Sequence, residues 1–347
     1  RTGEDVIIIA PENSFVANEC EKQGAQIFTY DWNEISTNKA KYFDPWIQGL
    51  TNSDVVICTV HPPRKGFHCS VFAAECMKKA DLDNVFIPKT GTIVPDYLRE
   101  FYLPDPEVNT RIITITNFTR EYLVKSYKIP ENIIQLIYQG TEIDRFTSTR
   151  KTRNEAEVRY FLPKNAGPVL GFVGSFEERK GQVVLLTAVK KLVGSELPNV
   201  YLMLVGDGPD EKMLKEKVKT MDLGNNVSFF PFTREPNYIF ERLDILTLPS
   251  IYKEGLLNVL LQAMSMSVPC IASKMAGIPE VVFNGKTGYM VSPGDADELA
   301  GAVLKLWRDR SICKKMGENS RRLMEKNFDK KKQFGKFLEY FRSVHER

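Results

Sequence analysis

The stretch EGLLNVLLQAMSMSVPCIASKMAGIPE, Glu254 to Glu280, reads as an acid, an apolar helix, a short buried strand and a Gly-Ile-Pro-Glu turn. A loop that feeds a helix N-terminus offers unpaired N–H groups and the positive end of the helix dipole to an anion. Glu254 and Gln262 are eight positions apart, so a helix through both puts them on roughly one side. Asn258 falls between them, one turn from each. Three polar side chains in so apolar a segment need partners. Either they cap the helix and satisfy its backbone, or they meet a ligand.

Working outward, the same strand–helix alternation fills the second half of the chain. Strands are expected at Val169–Gly174, Tyr201–Val205, Val227–Pro231, Asp244–Pro249, Cys270–Ser273 and Gly288–Val291. Helices are expected at Gly181–Val193, Asp210–Met221, Asn237–Arg242, Leu256–Met266, Ala296–Arg308 and Ser311–Lys326. The first half alternates too, with strands at Asp5–Ala10, Gln26–Tyr30, Asp54–Val60, Asn84–Pro88, Arg111–Thr116 and Ile133–Tyr138. Its helices are expected at Ser14–Gln23, Phe67–Lys79, Asp96–Tyr102 and Thr119–Tyr127. Unbroken runs such as DVVICTV and RIITITN suit strands buried on both faces, hence parallel sheets. The fold class is therefore α/β, with two Rossmann-like doubly wound domains facing a cleft.

Between Gln139 and Pro168 the pattern turns charged and turn-rich, with local helix expected around Asn154–Phe161. The domains expected are 1–145, a linker over 146–167, a second domain over 168–328 and a final helix in 329–347. That helix carries Phe334, Phe337, Leu338 and Phe341 at helical spacing, a stripe that must pack on something, across both domains in this reading. The opening RTGEDVIIIAPE lies only a few residues ahead of a strand and is read as following a missing strand and loop.

At 347 residues, 43% hydrophobic and 26% charged, the chain has the composition of an ordinary globular protein of two domains. No apolar run is long enough to span a bilayer. The net charge of +3 is uneven: residues 301–347 hold 14 basic and 6 acidic residues, interspersed as on a solvated helix face. No nucleic-acid partner is inferred from them. The six cysteines are scattered without a C-x-x-C pair and there are only three histidines. Buried free thiols in a reducing, cytoplasmic setting are expected, with no metal site and no disulfide framework.

Loops after the strands matter most, because ligands of such sheets bind beyond the carboxyl ends of the strands. Gly174-Ser175-Phe176-Glu177-Glu178-Arg179-Lys180-Gly181 leads into a helix. Two cations at a helix start oppose its dipole, an arrangement relieved when an anion such as a diphosphate bridges them. Val205-Gly206-Asp207-Gly208-Pro209 is a tight turn, but no G-x-G-x-x-G fingerprint follows, which disfavours a dinucleotide oxidoreductase. Phe230-Pro231-Phe232-Thr233 offers an aromatic and backbone groups to a planar base, or simply packs in the core.

GFVGSFEERKG, LVGDGP, LPSIYKEGLLNVLLQAM and AGIPEVVFNGKTGYMVSPGD occur in one order and spacing over about residues 168–310. In these motifs the chain resembles the family 4 retaining glycosyltransferases of GT-B fold. The first half is similar more loosely, through IIIAPE and TNFTREYLVKSYKIPENIIQLIYQGTEIDRF. The resemblance implies metal-independent transfer of a sugar from a nucleotide-diphosphate donor to a hydroxyl with retention, without a cofactor. A glycan or lipid-linked acceptor is implied, and with it a position peripheral to a membrane. It assigns Lys180, with its neighbour Arg179, to the donor diphosphate, and Glu254 to the transferred sugar. Leu256, Leu257 and the N–H groups after them would border sugar and phosphates, with Asn258 beside them. Phe232 and Thr233 match the base-binding edge, Gly277 and Ile278 the turn near the donor sugar, and Gly174 and Gly206 the glycine turns.

The chain departs from the family at three places. Gln262 stands where a second Glu holds the ribose, and Ser175 where an Arg supports the diphosphate. The acceptor-side histidine is missing from its usual place, where PKTGTIVP supplies Lys89, Thr90 and Thr92; His61 in VHPPRK is the nearest substitute. With no acid pair spaced for double displacement, front-side attack with the leaving phosphate taking the proton is the implied route. Two alternatives remain open: a non-catalytic GT-B protein that binds nucleotide or glycan, and a nucleotide-sugar epimerase.

Overall fold

A computed structural model describes residues 5–61, 65–91 and 98–345. Its contacts divide the chain into two units, residues 1–137 with 336–347, and residues 138–335. The 146–167 segment read as a linker lies inside the second unit and carries a helix.

In the first unit β1 (Ile7–Pro11) and β2 (Gln26–Tyr30) form a parallel pair, connected by α1 (Phe15–Lys22). The Ser14 hydroxyl caps α1 by accepting from Ala17 N–H. A second parallel sheet runs in the order β3 (Val55–Thr59), β4 (Val85–Thr90), β5 (Ile112–Thr114) and β6 (Ile134–Leu136). Helices α3 (Cys69–Lys79) and α4 (Asn117–Tyr127) connect its strands. Among the described residues the first half thus holds two parallel sheets, one of two strands and one of four.

Helix α2 (Phe43–Thr51) was not expected from the sequence. Pro45 in its first turn and Gly49 in its middle hide the helical period. Gly49 is where a strand residue comes close: a Cβ there would sit 3.1 Å from the Phe28 ring. Of the helix expected over Asp96–Tyr102, the described part is a single 3-10 turn, Arg99–Phe101.

The second unit begins with α5 (Arg150–Arg159), which starts four residues before the expected Asn154 because Thr149 and Thr152 form a reciprocal cap. Its sheet contains β7 (Val169–Val173), β8 (Tyr201–Val205), β9 (Val227–Phe230), β10 (Ile245–Leu248), β11 (Cys270–Ser273) and β12 (Gly288–Val291). All neighbours are parallel and the order is β12-β11-β10-β7-β8-β9. These strands fall where the apolar runs predicted them. One face buries Leu185, Leu186 and Val189 of α6 (Gln182–Val193), Leu214 of α7 (Glu211–Thr220), and Leu299 and Val303 of α10 (Ala296–Arg308). The other buries Phe240 of α8 (Pro236–Phe240), Leu260 and Met264 of α9 (Asn258–Ser265), and Met324 of α11 (Arg310–Asn327).

The last helix, α12 (Lys330–His345), turns Phe337, Tyr340, Phe341 and Val344 toward Val85, Ile87, Ile113 and Ile137 of the first unit's sheet. Its working stripe is shifted from the expected one: Phe334 is exposed and Tyr340 and Val344 take part.

Candidate functional site

The strand order of the second unit reverses its winding between β7 and β10. Chain leaving these two strands goes to opposite faces of the sheet, so their loops flank a crevice. Both loops carry charged residues. After β7 the chain makes a 3-10 turn over Glu178–Lys180 and enters α6 at Gln182. After β10 it runs through Pro249 and Ser250 to Glu254 and enters α9 at Asn258.

The loops are stitched together by backbone. Gly181 has φ +73°, and a Cβ there would lie 2.0 Å from Pro249 O, so only glycine fits. Ile251 N–H donates to Arg179 O at 2.7 Å, and Arg179 Nη1 donates to Lys253 O at 3.2 Å. The β7 and β8 loops interlock in the same way. A Cβ on Gly206 would lie 2.0 Å from Gly174 O, and Phe176 N–H donates to Asp207 O at 2.7 Å.

Glu254 is the anion at the centre. Its side chain is 3% exposed, and a buried carboxylate must be paired and hydrogen-bonded. Three donors use its Oε1: Lys180 Nζ at 2.5 Å, Arg179 Nη1 at 3.2 Å and Ser250 Oγ at 3.0 Å. Arg179 also donates through Nε to Glu177 at 2.6 Å. The Ser175 hydroxyl, and then Arg179, hold the Glu177 carboxyl below the usual carboxylate range. The two cations that oppose the dipole of α6 are therefore met by Glu254 and Glu177.

This corrects the reading of Glu254, Asn258 and Gln262 as one helix face. Helix α9 begins at Asn258, so Glu254 lies ahead of it and faces the β7 loop. Asn258 and Gln262 do share a face, one turn apart. Asn258 Oδ1 accepts from Gln139 Nε2, and Gln262 is half-buried. Neither α6 nor α9 has a side-chain cap, whereas Asp295 caps α10 and Asp309 caps α11. Two helix starts without side-chain caps adjoin one pair of cations.

The other expected donor-site residues divide into two groups. Leu256 and Ile278 turn their side chains into the core, so only their backbones can face a ligand. Leu257 packs against the same core from its edge. Gly277 opens the 3-10 turn Ile278–Glu280, and burial, with Glu280 second, raises the Tyr138 pKa to about 12. Phe232 is 64% exposed beyond β9, and Thr233 Oγ accepts from Glu235 N–H at 3.0 Å.

Sequence reasoning missed Ser250 and Gln182. Gln182 is 2% exposed and donates from Nε2 to Ser175 O at 2.8 Å, fixing the β7 loop to the first residue of α6. An amide heading the apolar run VVLLTAV was the available signal.

The acceptor-side candidates lie in the first unit. His61 follows β3 and places Nε2 3.0 Å from Cys69 Sγ. Lys89 and Thr90 close β4. The Lys89 ammonium sits 5.7 Å over the Phe337 ring, and burial lowers its pKa. Thr90 is buried. Thr92 lies outside the described residues.

Residues 154–323 match the sequence family described as glycosyl transferases group 1. The capsular polysaccharide biosynthesis glycosyltransferase CapM of Staphylococcus aureus is 28% identical over 221 residues, 63% of this chain and 58% of that protein. The N-acetyl-alpha-D-glucosaminyl L-malate synthase of Bacillus anthracis is 30% identical over 219 residues, 63% of this chain and 55% of that protein. The chain thus spans little more than half the length of these two relatives. Among solved structures, Anabaena Alr3699/HepE in complex with UDP superposes with a TM-score of 0.84 at 18% identity, covering 97% of this chain and 92% of that one. A glycosyltransferase from Rickettsia africae gives 0.80 at 21% identity, covering 99% and 90%. Likeness at such identities concerns fold, and the expected two-domain α/β GT-B fold is borne out.

Proposed function

We propose that this chain, whose residues 154–323 match the glycosyl transferases group 1 family, transfers a sugar from a nucleoside-diphosphate donor to a hydroxyl, with retention and without a metal. One observation carries the reading: Lys180 and Arg179 share Glu254 Oε1 at the switch point of the sheet, beside two helix starts without side-chain caps. Glu254 and Glu177 balance the two cations, so the partial positive charge left at the site is that of the two helix starts, whose N–H groups a diphosphate would meet beside Lys180 and Arg179.

The leaving diphosphate gains charge as the sugar–oxygen bond breaks. Lys180 and Arg179 are held in place before that charge appears, so little reorganisation is needed when it does. Their charges do the work a divalent cation would otherwise do. Glu254 Oε2 takes part in none of the three bonds on Oε1 and is the oxygen that accepts from a sugar hydroxyl. Gln262, one turn into α9, accepts from the ribose through its amide oxygen. The acceptor hydroxyl attacks from the face the diphosphate leaves, and a leaving phosphate oxygen takes its proton. A glycan or lipid-linked hydroxyl is the acceptor class.

Thermal unfolding of the chain with saturating UDP, GDP or ADP tests this reading, UDP first because the HepE structures hold it. A nucleotide at about 100 times its Kd adds about 2.7 kcal/mol of stability. A rise with one nucleotide, followed by release of that nucleotide from its sugar conjugates in the presence of acceptor hydroxyls, is the expected result. No shift with any of the three would sink the proposal. Binding without release of nucleotide would favour a non-catalytic protein instead.

A further inference from the structure

The first unit holds a second cluster of reactive side chains, distinct from the cations of the second unit. All six cysteines are free, and three of them, Cys20, Cys58 and Cys69, are only part-buried, contrary to the expectation of buried thiols. Cys58 lies one residue before the end of β3, and Cys69 is the first residue of α3. Eleven residues apart in sequence, their sulfurs are 3.2 Å apart, with the Cys58 thiol donating to Cys69 Sγ. His61 Nε2 is 3.0 Å from the same sulfur. The His61 ring stacks on His68 at 5.4 Å, and His68 stacks on Phe101.

This geometry sets the two sulfurs apart in role. Cys69 sits in the first turn of a helix that has no side-chain cap, where N–H groups and the dipole favour a thiolate. The Cys58 thiol and His61 add to that and hold Cys69 at about 5. The same contact pushes Cys58 well above its ordinary value. The contacts thus favour the thiolate at Cys69 and the protonated thiol at Cys58.

We propose that Cys58 and Cys69 are a reversible dithiol–disulfide site that exchanges with low-molecular-weight disulfides, with Cys69 attacking and Cys58 resolving. The Cys69 thiolate attacks one sulfur of a disulfide RSSR, forming a mixed disulfide and expelling RS⁻. The Cys58 thiol gives its proton to the expelled thiolate. Its sulfur then attacks Cys69 Sγ and displaces the second RS⁻, which takes a proton from water to become RSH. The two protein thiols are oxidised, and RSSR is reduced to two RSH. The bond ties the first turn of α3 to the end of β3. That strand is paired with β4, where Thr59 lies opposite Lys89.

The test uses the whole chain in glutathione buffers of rising oxidised fraction, quenched with acid, alkylated, digested with trypsin and read by mass spectrometry. Arg64 and Lys65 lie between the two cysteines, so trypsin separates their peptides unless a bond joins them. The expected product in wild type is the joined pair, lighter by two hydrogens and separated again by dithiothreitol. Cys58→Ser is expected to accumulate one glutathione at Cys69, and Cys69→Ser to take up none at Cys58. Alkylation of Cys69 is expected to persist at pH 6, where an ordinary thiol with a pKa of about 8.5 is protonated. Stable glutathione at Cys69 in wild type with no joined peptides would overturn the proposal, as would alkylation of Cys69 that fades like that of an ordinary thiol. The wild-type measurement stands even if a serine variant folds poorly.

Discussion

Lys180 Nζ and Glu254 Oε1 are 2.5 Å apart, although the residues are 74 positions apart and come from loops after different strands. The pair joins the two loops at the switch point, and each partner has a separate consequence for a variant.

Lys180→Ala removes the cation to which the proposed function assigns the leaving diphosphate, and leaves Glu254 with Arg179 and Ser250. One preorganised donor of this kind is worth about 10²–10³-fold in rate. A loss of that order in kcat/KM is expected, with the thermal midpoint little changed. Steady-state kinetics and unfolding on one preparation check both; near-normal kcat/KM would remove Lys180 from the chemistry.

Glu254→Gln leaves Lys180 without its carboxylate and Arg179 with Glu177 alone. Breaking a fully buried pair costs about 3–5 kcal/mol, and the part-exposed Arg179 brings this down to about 2–3 kcal/mol. Inorganic pyrophosphate replaces the missing charge, so it should raise the midpoint of the variant more than that of wild type. Equal shifts in the two proteins would count against a diphosphate site.

Gly181→Ala forces a Cβ into Pro249 O at a backbone angle that L-residues avoid. Strain of about 1–3 kcal/mol plus the clash should separate the two loops and weaken nucleotide binding at least tenfold by calorimetry. Gly301→Ala is the control: it is exposed within α10 with nothing near its Cβ, and should stabilise the chain by about 0.5–1 kcal/mol.

His68 gives the first unit a pH dependence. Burial, and then His61, lower its pKa from 6.5 to about 4. The unfolded imidazole takes its proton near 6.5 and the folded one near 4, so the unfolded state binds more protons in between. Stability is full above pH ~6.5 and is lost as pH falls toward 4. Unfolding midpoints of wild type and His68→Phe across that range should diverge, with the flatter profile in the variant.

The second unit was legible because its strands are short apolar runs alternating with amphipathic helices, two of them, β7 and β8, followed by glycine turns; the order of its strands was not read from the sequence. Lys180 and Arg179 were legible as charges placed against a helix dipole. The partner of those charges was not, because helical spacing led from Glu254 to Gln262, whereas the helix starts only at Asn258. A periodicity argument cannot see a non-local ion pair. In the first half, Pro45 and Gly49 concealed α2, whose glycine answers to Phe28 from another element. Arg321 is a similar case. It reads as one of many basic residues on a solvated helix, yet its Nη1 donates to Phe146 O at 2.7 Å and Ser265 O at 2.6 Å.

The interlock of Gly174 with Gly206, and of Phe176 with Gly208, has a practical bearing on engineering. A Cβ on Gly208 would lie 2.4 Å from Phe176 O, so neither loop has slack to take up a change in the other. Under the proposed function, donor preference is therefore not a property that can be transplanted one loop at a time. A chimera that imports only the β7 loop of a relative should misfold locally, while one that imports both loops as a cassette keeps the backbone match and carries the foreign preference with it.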